Sequence, residues 1–268
     1  MNQAQPQDRD ARAPFPTCDL LGMPIARTDS AGLIDYLFAR LSEGRGGWLV
    51  TANLDFLRRH AHDAEARQLY AAADLRVADG FPLVWAARLQ GDDLPGRVTG
   101  ADLVWHVAER AAREGRSIFF LGGDADTALR AGQVLQGRWP ALKVAGHASP
   151  NVDRVPTPAQ LAALRAEVQP AKPDIVLVAM GSPKQENLIQ GLRGGLPATW
   201  MIGVGATFSF VAGDVRRAPR FVQRMNLEWL WRLTQEPRRL FKRYIVEDLP
   251  FAFELFARSF ARRFQKRG

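Results

Sequence analysis

An aspartate that directly follows a short apolar run and precedes a glycine is held where the chain turns out of a sheet, with little water around it. Asp79 stands in that position, after the apolar run at 75–78 and before Gly80. Such a carboxylate keeps its orientation, has its proton affinity raised by desolvation, and can take a proton from an attacking hydroxyl. Asp-Gly is also a common turn former, so the pair alone does not separate a base from a turn. Other apolar runs end in small or hydrogen-bonding residues: Ala52-Asn53 after 47–51, Gly122-Gly123-Asp124 after 117–121, Gly181-Ser182-Pro183-Lys184-Gln185-Glu186 after 174–180, and Gly203-Val204-Gly205-Ala206-Thr207 after 198–202. Gly122, Gly123 and Gly181 let backbone amides approach a ligand closely, and each loop opens onto a helix whose N-terminus favours negative charge. A diphosphate suits such a crevice, although tight turns need glycine anyway.

Other chemistries fit less well. Gly203-Val204-Gly205 has the first glycines of a dinucleotide fingerprint, but Phe208 fills the third position and the motif ends the sheet instead of opening it. Asp124-Ala125-Asp126 has the Asp-x-Asp spacing of a divalent-metal chelate. It also opens a helix, where aspartates cap free N–H groups and meet the positive end of the dipole without any ion. His60, His62, His106 and His147 lack the spacing of a metal site, and no P-loop consensus occurs.

The elements that must position these residues alternate short apolar runs with amphipathic stretches from Leu20 to Gly203, the pattern of a doubly wound, mostly parallel α/β sheet, Rossmann-like in class. Strands are expected at 47–51, 75–78, 117–121, 143–147, 174–180 and 198–202. Helices are expected at 30–42, 64–73, 82–89, 101–114, 125–139, 158–168 and 184–192, with Asp63, Asp124 and Thr157 as caps. Sheets of this kind bind ligands beyond the carboxyl ends of their strands, where the residues above lie. After Gly213 the strand signals stop, and 221–235, 238–247 and 250–264 read as helices punctuated by Pro237 and Pro250.

Charge divides the chain at the same place. Residues 219–268 hold 12 Lys and Arg against 5 Asp and Glu, leaving 24 against 23 in the first 218. A near-neutral body (19–213) thus carries a cationic, aromatic-rich helical appendage (214–268) that meets something anionic. At 100° per residue Phe253, Phe256, Phe260 and Phe264 fall on one face, with Arg258, Arg262 and Lys266 opposite and Arg263 and Arg267 at its flanks. That is the pattern of a helix lying in a membrane interface. A helix docked on the core with a solvated charged face is the competing reading. Nucleic acid is disfavoured, because the aromatics gather on one face instead of interleaving with the arginines. No apolar run approaches a spanning helix. Residues 1–18 read as a disordered leader without a secretion signal. The single cysteine, Cys18, excludes an internal disulfide and fits a reducing cytosol.

Several ordered blocks carry a resemblance: TAN at Thr51 to Asn53, ADG at Ala78 to Gly80, RVTGADL at Arg97 to Leu103, FFLGG at Phe119 to Gly123, MGSPKQE at Met180 to Glu186, GVGATFSFVAG at Gly203 to Gly213 and EWLWRLTQEPRR at Glu228 to Arg239. From about Leu20 to Tyr244 the chain resembles the WecG/TagA/CpsF glycosyltransferases (glycosyltransferase family 26). The resemblance implies transfer of a hexose, N-acetylhexosamine or its uronic acid from a UDP-sugar to an undecaprenyl-diphosphate-linked sugar in bacterial surface polysaccharide synthesis. It implies inversion, no cofactor, no required metal, and a peripheral place on the inner face of the plasma membrane. It leaves the donor open among UDP-N-acetylmannosamine, its uronic acid and UDP-glucose, and leaves a homo-oligomer open. By the same resemblance Asp79 falls on the base, Thr51, Asn53, Arg97 and Gln185 on pocket positions, and Arg232, Arg239 and Lys242 on appendage arginines that complete the site. Lys242 departs from that pattern, a point charge replacing a bidentate fork, with Arg243 beside it. Phe81-Pro82 departs where some members carry a small residue. An NAD-dependent Rossmann-like oxidoreductase and a non-catalytic membrane adaptor are the competing functional classes.

Overall fold

The computed structural model describes residues 14–124 and 126–265. The chain opens with a hairpin, β1 (Thr17–Leu20) and β2 (Met23–Ala26), and continues through α1 (Ser30–Ser42), β3 (Gly47–Ala52), α2 (Leu54–His62), α3 (Ala64–Ala71), β4 (Leu75–Ala78) and α4 (Phe81–Leu89). Then come α5 (Gly100–Glu114), β5 (Ser117–Gly122), α6 (Thr127–Arg138), β6 (Lys143–Ala148), α7 (Pro158–Ala171), β7 (Ile175–Ala179), α8 (Lys184–Arg193) and β8 (Trp200–Gly203). Beyond the last strand lie α9 (Thr207–Val211), α10 (Arg220–Arg224), α11 (Glu228–Gln235) and α12 (Pro237–Phe241), and α12 runs through a π-helical segment (Lys242–Asp248) into α13 (Leu249–Gln265).

Strands β3 to β8 form one parallel sheet in the order β4-β3-β8-β7-β5-β6, while β1 and β2 pair antiparallel beside it. The chain lays β3 and β4 at one side, crosses to β5 and β6 at the other, and fills the middle last with β7 and β8. Because every strand runs the same way, all carboxyl ends open onto one edge. Period-two alternation divides the core into two layers. Trp48, Val50, Phe119, Leu121, Val176 and Val178 face the layer that holds β1, α2, α4 and α8. Leu49, Ile118, Phe120, Leu177 and Ile202 face the layer of α1, α5 and α6. Helices on both faces explain why β7 is buried at every residue.

All six expected strands are present, and Asp63 and Thr157 cap as expected: Asp63 accepts from Glu65 N and Ala66 N, and Thr157 forms a capping box with Gln160. Asp124 is not a cap; α6 starts at Thr127 after Asp126, whose side chain makes no capping bond and whose φ is 62°. Residues 17 and 18, read with the leader, lie in β1, and Cys18 is fully buried. Residues 1–13 of that leader lie outside the described residues.

The appendage differs most from its sequence reading. Asn226, at φ 64°, breaks the helix expected at 221–235, and Pro250 breaks nothing. It follows the π-helical segment, where the backbone ladder already changes from the wide i+5 register, so a residue without N–H is tolerated there. Helix α13 docks through Phe251, Leu255 and Ser259, which are 3%, 0% and 2% exposed, and Phe251 and Leu255 join the β1–α4 core layer. Burying each of those apolar side chains contributes about 1.5–3 kcal/mol. The docked face is therefore not the phenylalanine stripe: Phe253, Phe260 and Phe264 are exposed, and Phe256 is partly buried with its ring 6.5 Å from that of Trp85. Arg262 is not free on a solvated face either; it pairs with Asp19 and donates to the Asp19 carbonyl at 3.1 Å. Lys266 and Arg267 lie outside the described residues. No helix among the described residues is long and apolar enough to cross a membrane.

Candidate active site

Asp79 leaves the sheet at the carboxyl end of β4. Its N–H donates to Ala52 O of β3 at 2.7 Å, which extends the parallel ladder by one residue and fixes the side chain's starting point. Gly80 follows at φ +127°, a conformation that L side chains rarely adopt, and turns the chain into α4 with Pro82 in its first turn. The carboxylate faces the start of α5: Asp79 Oδ2 accepts from Gly100 N at 3.4 Å. Thr99 caps that helix by accepting from Asp102 N at 3.1 Å, and an added Cβ at Gly100 would lie 3.3 Å from Val204 Cα, so glycine lets α5 seat against the β8 loop. Burial pushes the Asp79 carboxyl up from 3.8 to about 6; the Gly100 hydrogen bond works against that rise, Glu228 repulsion adds to it, and the positive charges of Arg97 and Arg232 oppose it. The result is a half-buried acid whose titration lies close to neutrality.

Two of those charges come from opposite parts of the chain. Arg97 precedes α5, and its guanidinium carbon lies 5.4 Å from the Phe81 ring centroid. Arg232 sits on α11 with its guanidinium carbon 5.3 Å from the Phe210 ring centroid, and its Nε is buried without a partner. Glu228, one turn earlier on α11, lies between two arginines, Arg97 of the body and Arg217 at the start of the appendage: Arg97 Nη1 is 3.7 Å from Oε2 and Arg217 Nε is 3.3 Å from Oε1. Arg217 also pairs with Asp102 at 2.6 Å. Burial alone would raise Asp102, but the hydrogen bonds from Arg217 and Thr99 hold it below the usual carboxylate range. The carboxyl edge of the sheet thus brings an acid that titrates near 6 within electrostatic reach of Arg97 from the body and of Glu228 and Arg232 from α11. Such a set can accept a proton from a hydroxyl and stabilise a departing anion.

The remaining sequence-derived residues fall into different places. Thr51 is buried and donates to Gly203 O at 3.0 Å, tying the ends of β3 and β8 together. Asn53 caps α2 by accepting from Phe56 N at 3.2 Å. Gln185 is 4% exposed; its Oε1 accepts from Gly205 N at 2.9 Å and Met180 N at 3.4 Å, and its Nε2 donates to Glu186 Oε1 at 2.8 Å. Its amide joins the loops after β7 and β8. Gly123 N donates to Ala179 O at 2.7 Å, and a Cβ on Gly122 would lie 2.5 Å from the same carbonyl, so this glycine pair serves the close approach of β5 and β7. Gly181 has open space where a Cβ would be. Arg239 is exposed and pairs with Glu236 three residues before it, and Lys242 is exposed at the start of the π-helical segment. Arg243 turns to the body, 3.5 Å from Asp55 and 3.7 Å from Asp248.

Glu228, Arg217 and Asp102 join the site only in three dimensions, whereas Phe81, already marked in the sequence as a departure from the family pattern, lies against Arg97. Glu228 and Asp102 stand inside quoted blocks, EWLWRLTQEPRR and RVTGADL, but ion pairs across more than a hundred residues leave no trace in spacing. Among the described residues no three His, Cys, Asp or Glu side chains gather into a group that could hold a metal. A family model described as "Glycosyl transferase WecG/TagA/CpsF family" matches residues 18–265, from β1 to the end of α13. A parallel α/β sheet with an acid and arginines at its carboxyl edge, matched over nearly its whole length, therefore belongs to the WecG/TagA/CpsF family of glycosyltransferases of cell-surface polysaccharide synthesis.

Proposed function

We propose that the protein moves a sugar from a UDP-sugar to a polyprenyl-diphosphate-linked sugar in one displacement. The acceptor hydroxyl oxygen attacks the anomeric carbon of the donor, and the bond from that carbon to the diphosphate oxygen breaks. The hydroxyl proton passes to the Asp79 carboxylate, and UDP leaves with the bonding electron pair. Attack from the face opposite the leaving group inverts the anomeric centre. Arg97 and Arg232 meet the negative charge that develops on the diphosphate, the role a divalent ion fills in other transferases. The observation that carries this reading is that Asp79, at the sheet edge, lies within electrostatic reach of Arg97 and of Glu228 and Arg232 from α11, with Glu228 tied to Arg97 at 3.7 Å.

The acceptor's lipid places the reaction at a membrane surface, on the inner face of the plasma membrane. Support comes from the outward face of α13, where Phe253, Phe260 and Phe264 are exposed together with Leu249, while Trp85 of α4 is exposed beside Phe256. Apolar side chains of this size left in water on a cationic appendage suit an anionic leaflet. The test is release of UDP from a panel of UDP-sugars with a polyprenyl-diphosphate-sugar acceptor in detergent, EDTA present. Acceptor-dependent release from one donor supports the reading. Release that needs added magnesium or manganese refutes the arginine role, and no release from any donor refutes the reaction.

A further inference from the structure

Helix α11 carries Arg232, yet none of its side chains is buried. Apolar packing into the core does not hold it. Its ties are polar: Trp231 Nε1 and Gln235 Nε2 donate to Arg216 O, in the segment that leads from the body into the appendage, at 3.1 and 3.0 Å, and Glu228 joins two guanidinium groups through different oxygens, that of Arg97 in the body and that of Arg217 in the leading segment. Both arginines are held on their far sides, Arg217 by Asp102 at 2.6 Å and Arg97 by the Phe81 ring at 5.4 Å. Glu228 is 19% exposed and its two partners 22% each, so the bridge is largely shielded from water and salt. Arg232 lies four residues on from Glu228, about one helical turn, on the same side of α11.

We infer that Glu228 is a positioning residue of this site: by bridging Arg97 and Arg217, itself held by Asp102, it fixes the register of α11 on the body and so holds Arg232 near Asp79. The inference rests on the glycosyl-transfer reading for its kinetic consequences, but not for its structural one. Glu228 also places a negative charge near Asp79. The groups that act on Asp79 are Gly100 N of α5, Arg97 of the preceding loop, and Glu228 and Arg232 of α11. Replacing Glu228 by a neutral isostere removes the acid among them, so the ionised form of Asp79 becomes easier to reach.

Glu228→Gln in the full chain separates this role from a general structural one. Hydrogen exchange over 228–235, measured without substrate, should be faster in the variant than in the wild type. The kcat/KM for the UDP-sugar should fall about 5- to 30-fold, because the amide oxygen still accepts a neutral hydrogen bond where the carboxylate made a charge-assisted one, and the acid limb of its pH profile should move to lower pH. Glu228→Asp keeps the charge on a side chain one methylene shorter; it should leave the acid limb where it is while losing part of kcat/KM. Unchanged exchange over 228–235 in Glu228→Gln overturns the inference whatever the enzyme's reaction proves to be. So does UDP binding that tightens in the variant, because Glu228 would then be a competitor for the arginines and not their organiser. An inactive wild type refutes the reaction alone and leaves the exchange comparison to decide the role of Glu228.

Discussion

Replacing Asp79 by Asn should cost activity and add stability, with both effects set by the same buried charge. Burial, with repulsion from Glu228 as a further contribution, raises the carboxyl from 3.8 to about 6. Between roughly pH 4 and 6 the native protein therefore holds a proton that the unfolded chain has released, so this group's effect on stability becomes less favourable as pH rises through that window. A shift of about two units corresponds to roughly 3 kcal/mol when the group is fully ionised. Asn keeps the carbonyl oxygen that accepts from Gly100 N and never takes the charge. Asp79→Asn should thus be more stable than the wild type by roughly 1–3 kcal/mol at pH 8, and the difference should vanish near pH 4. Asp248, also raised to about 6 by burial and the nearby Asp55, gives both proteins the same underlying slope, so the comparison is made at each pH. Urea unfolding at pH 4, 6 and 8 reads the stability. The wild-type kcat/KM should fall about tenfold for each pH unit below about 6 as the carboxylate takes up its proton, while Asn at this position should lower turnover about 10²- to 10⁴-fold at pH 8. A variant less stable than the wild type at pH 8, or an acid limb near 4, refutes the account of Asp79.

Arg232→Ala should weaken UDP binding and lower turnover, each by about ten- to a hundredfold, the scale of a charge-assisted hydrogen bond to phosphate; calorimetric titration with UDP and steady-state kinetics check this, and values equal to the wild type would make Arg232 a surface residue. Leu255→Ala should lower unfolding free energy by about 2–5 kcal/mol, because Leu255 is fully buried in the layer shared with α4; thermal or urea unfolding reads it. Deleting 214–268 outright removes that packing as well as Arg232, so lost activity in such a truncation does not isolate the arginine. Phe253→Ser with Phe260→Ser should reduce binding to anionic phospholipid vesicles at least tenfold while leaving the melting temperature near that of the wild type, since both side chains already face water; undiminished vesicle binding would remove α13 from the membrane contact.

Much of the body was legible because local patterns and global fold agree. The apolar runs at 117–121 and 174–180 read as buried parallel strands because helices cover both faces of the sheet, and β5 and β7 form there. Helix α2 leaves a weak trace in the sequence because it is short and two of the four residues it buries, Asp55 and His60, are polar; Asn53, expected at the pocket, caps it. The side on which α13 docks was misjudged for a related reason. Periodicity identifies an amphipathic stripe, but Phe253, Phe260 and Phe264 form the more conspicuous stripe while Phe251, Leu255 and Ser259 meet α4. Asp79 was visible from its place after a strand. Glu228 and Arg217 were not, because their significance lies in a bridge between body and appendage that no local spacing encodes.

The pairing of Asp79 from the sheet edge with Arg232 from the appendage in one glycosyl-transfer site is the point on which the proposed chemistry turns. Its most direct test is transfer of a radiolabelled sugar from the UDP donor to the polyprenyl-diphosphate-sugar acceptor by the wild type, Asp79→Asn and Arg232→Ala side by side. Labelled lipid is expected from the wild type and at least tenfold less from either variant; equal labelling by all three would rule the shared site out.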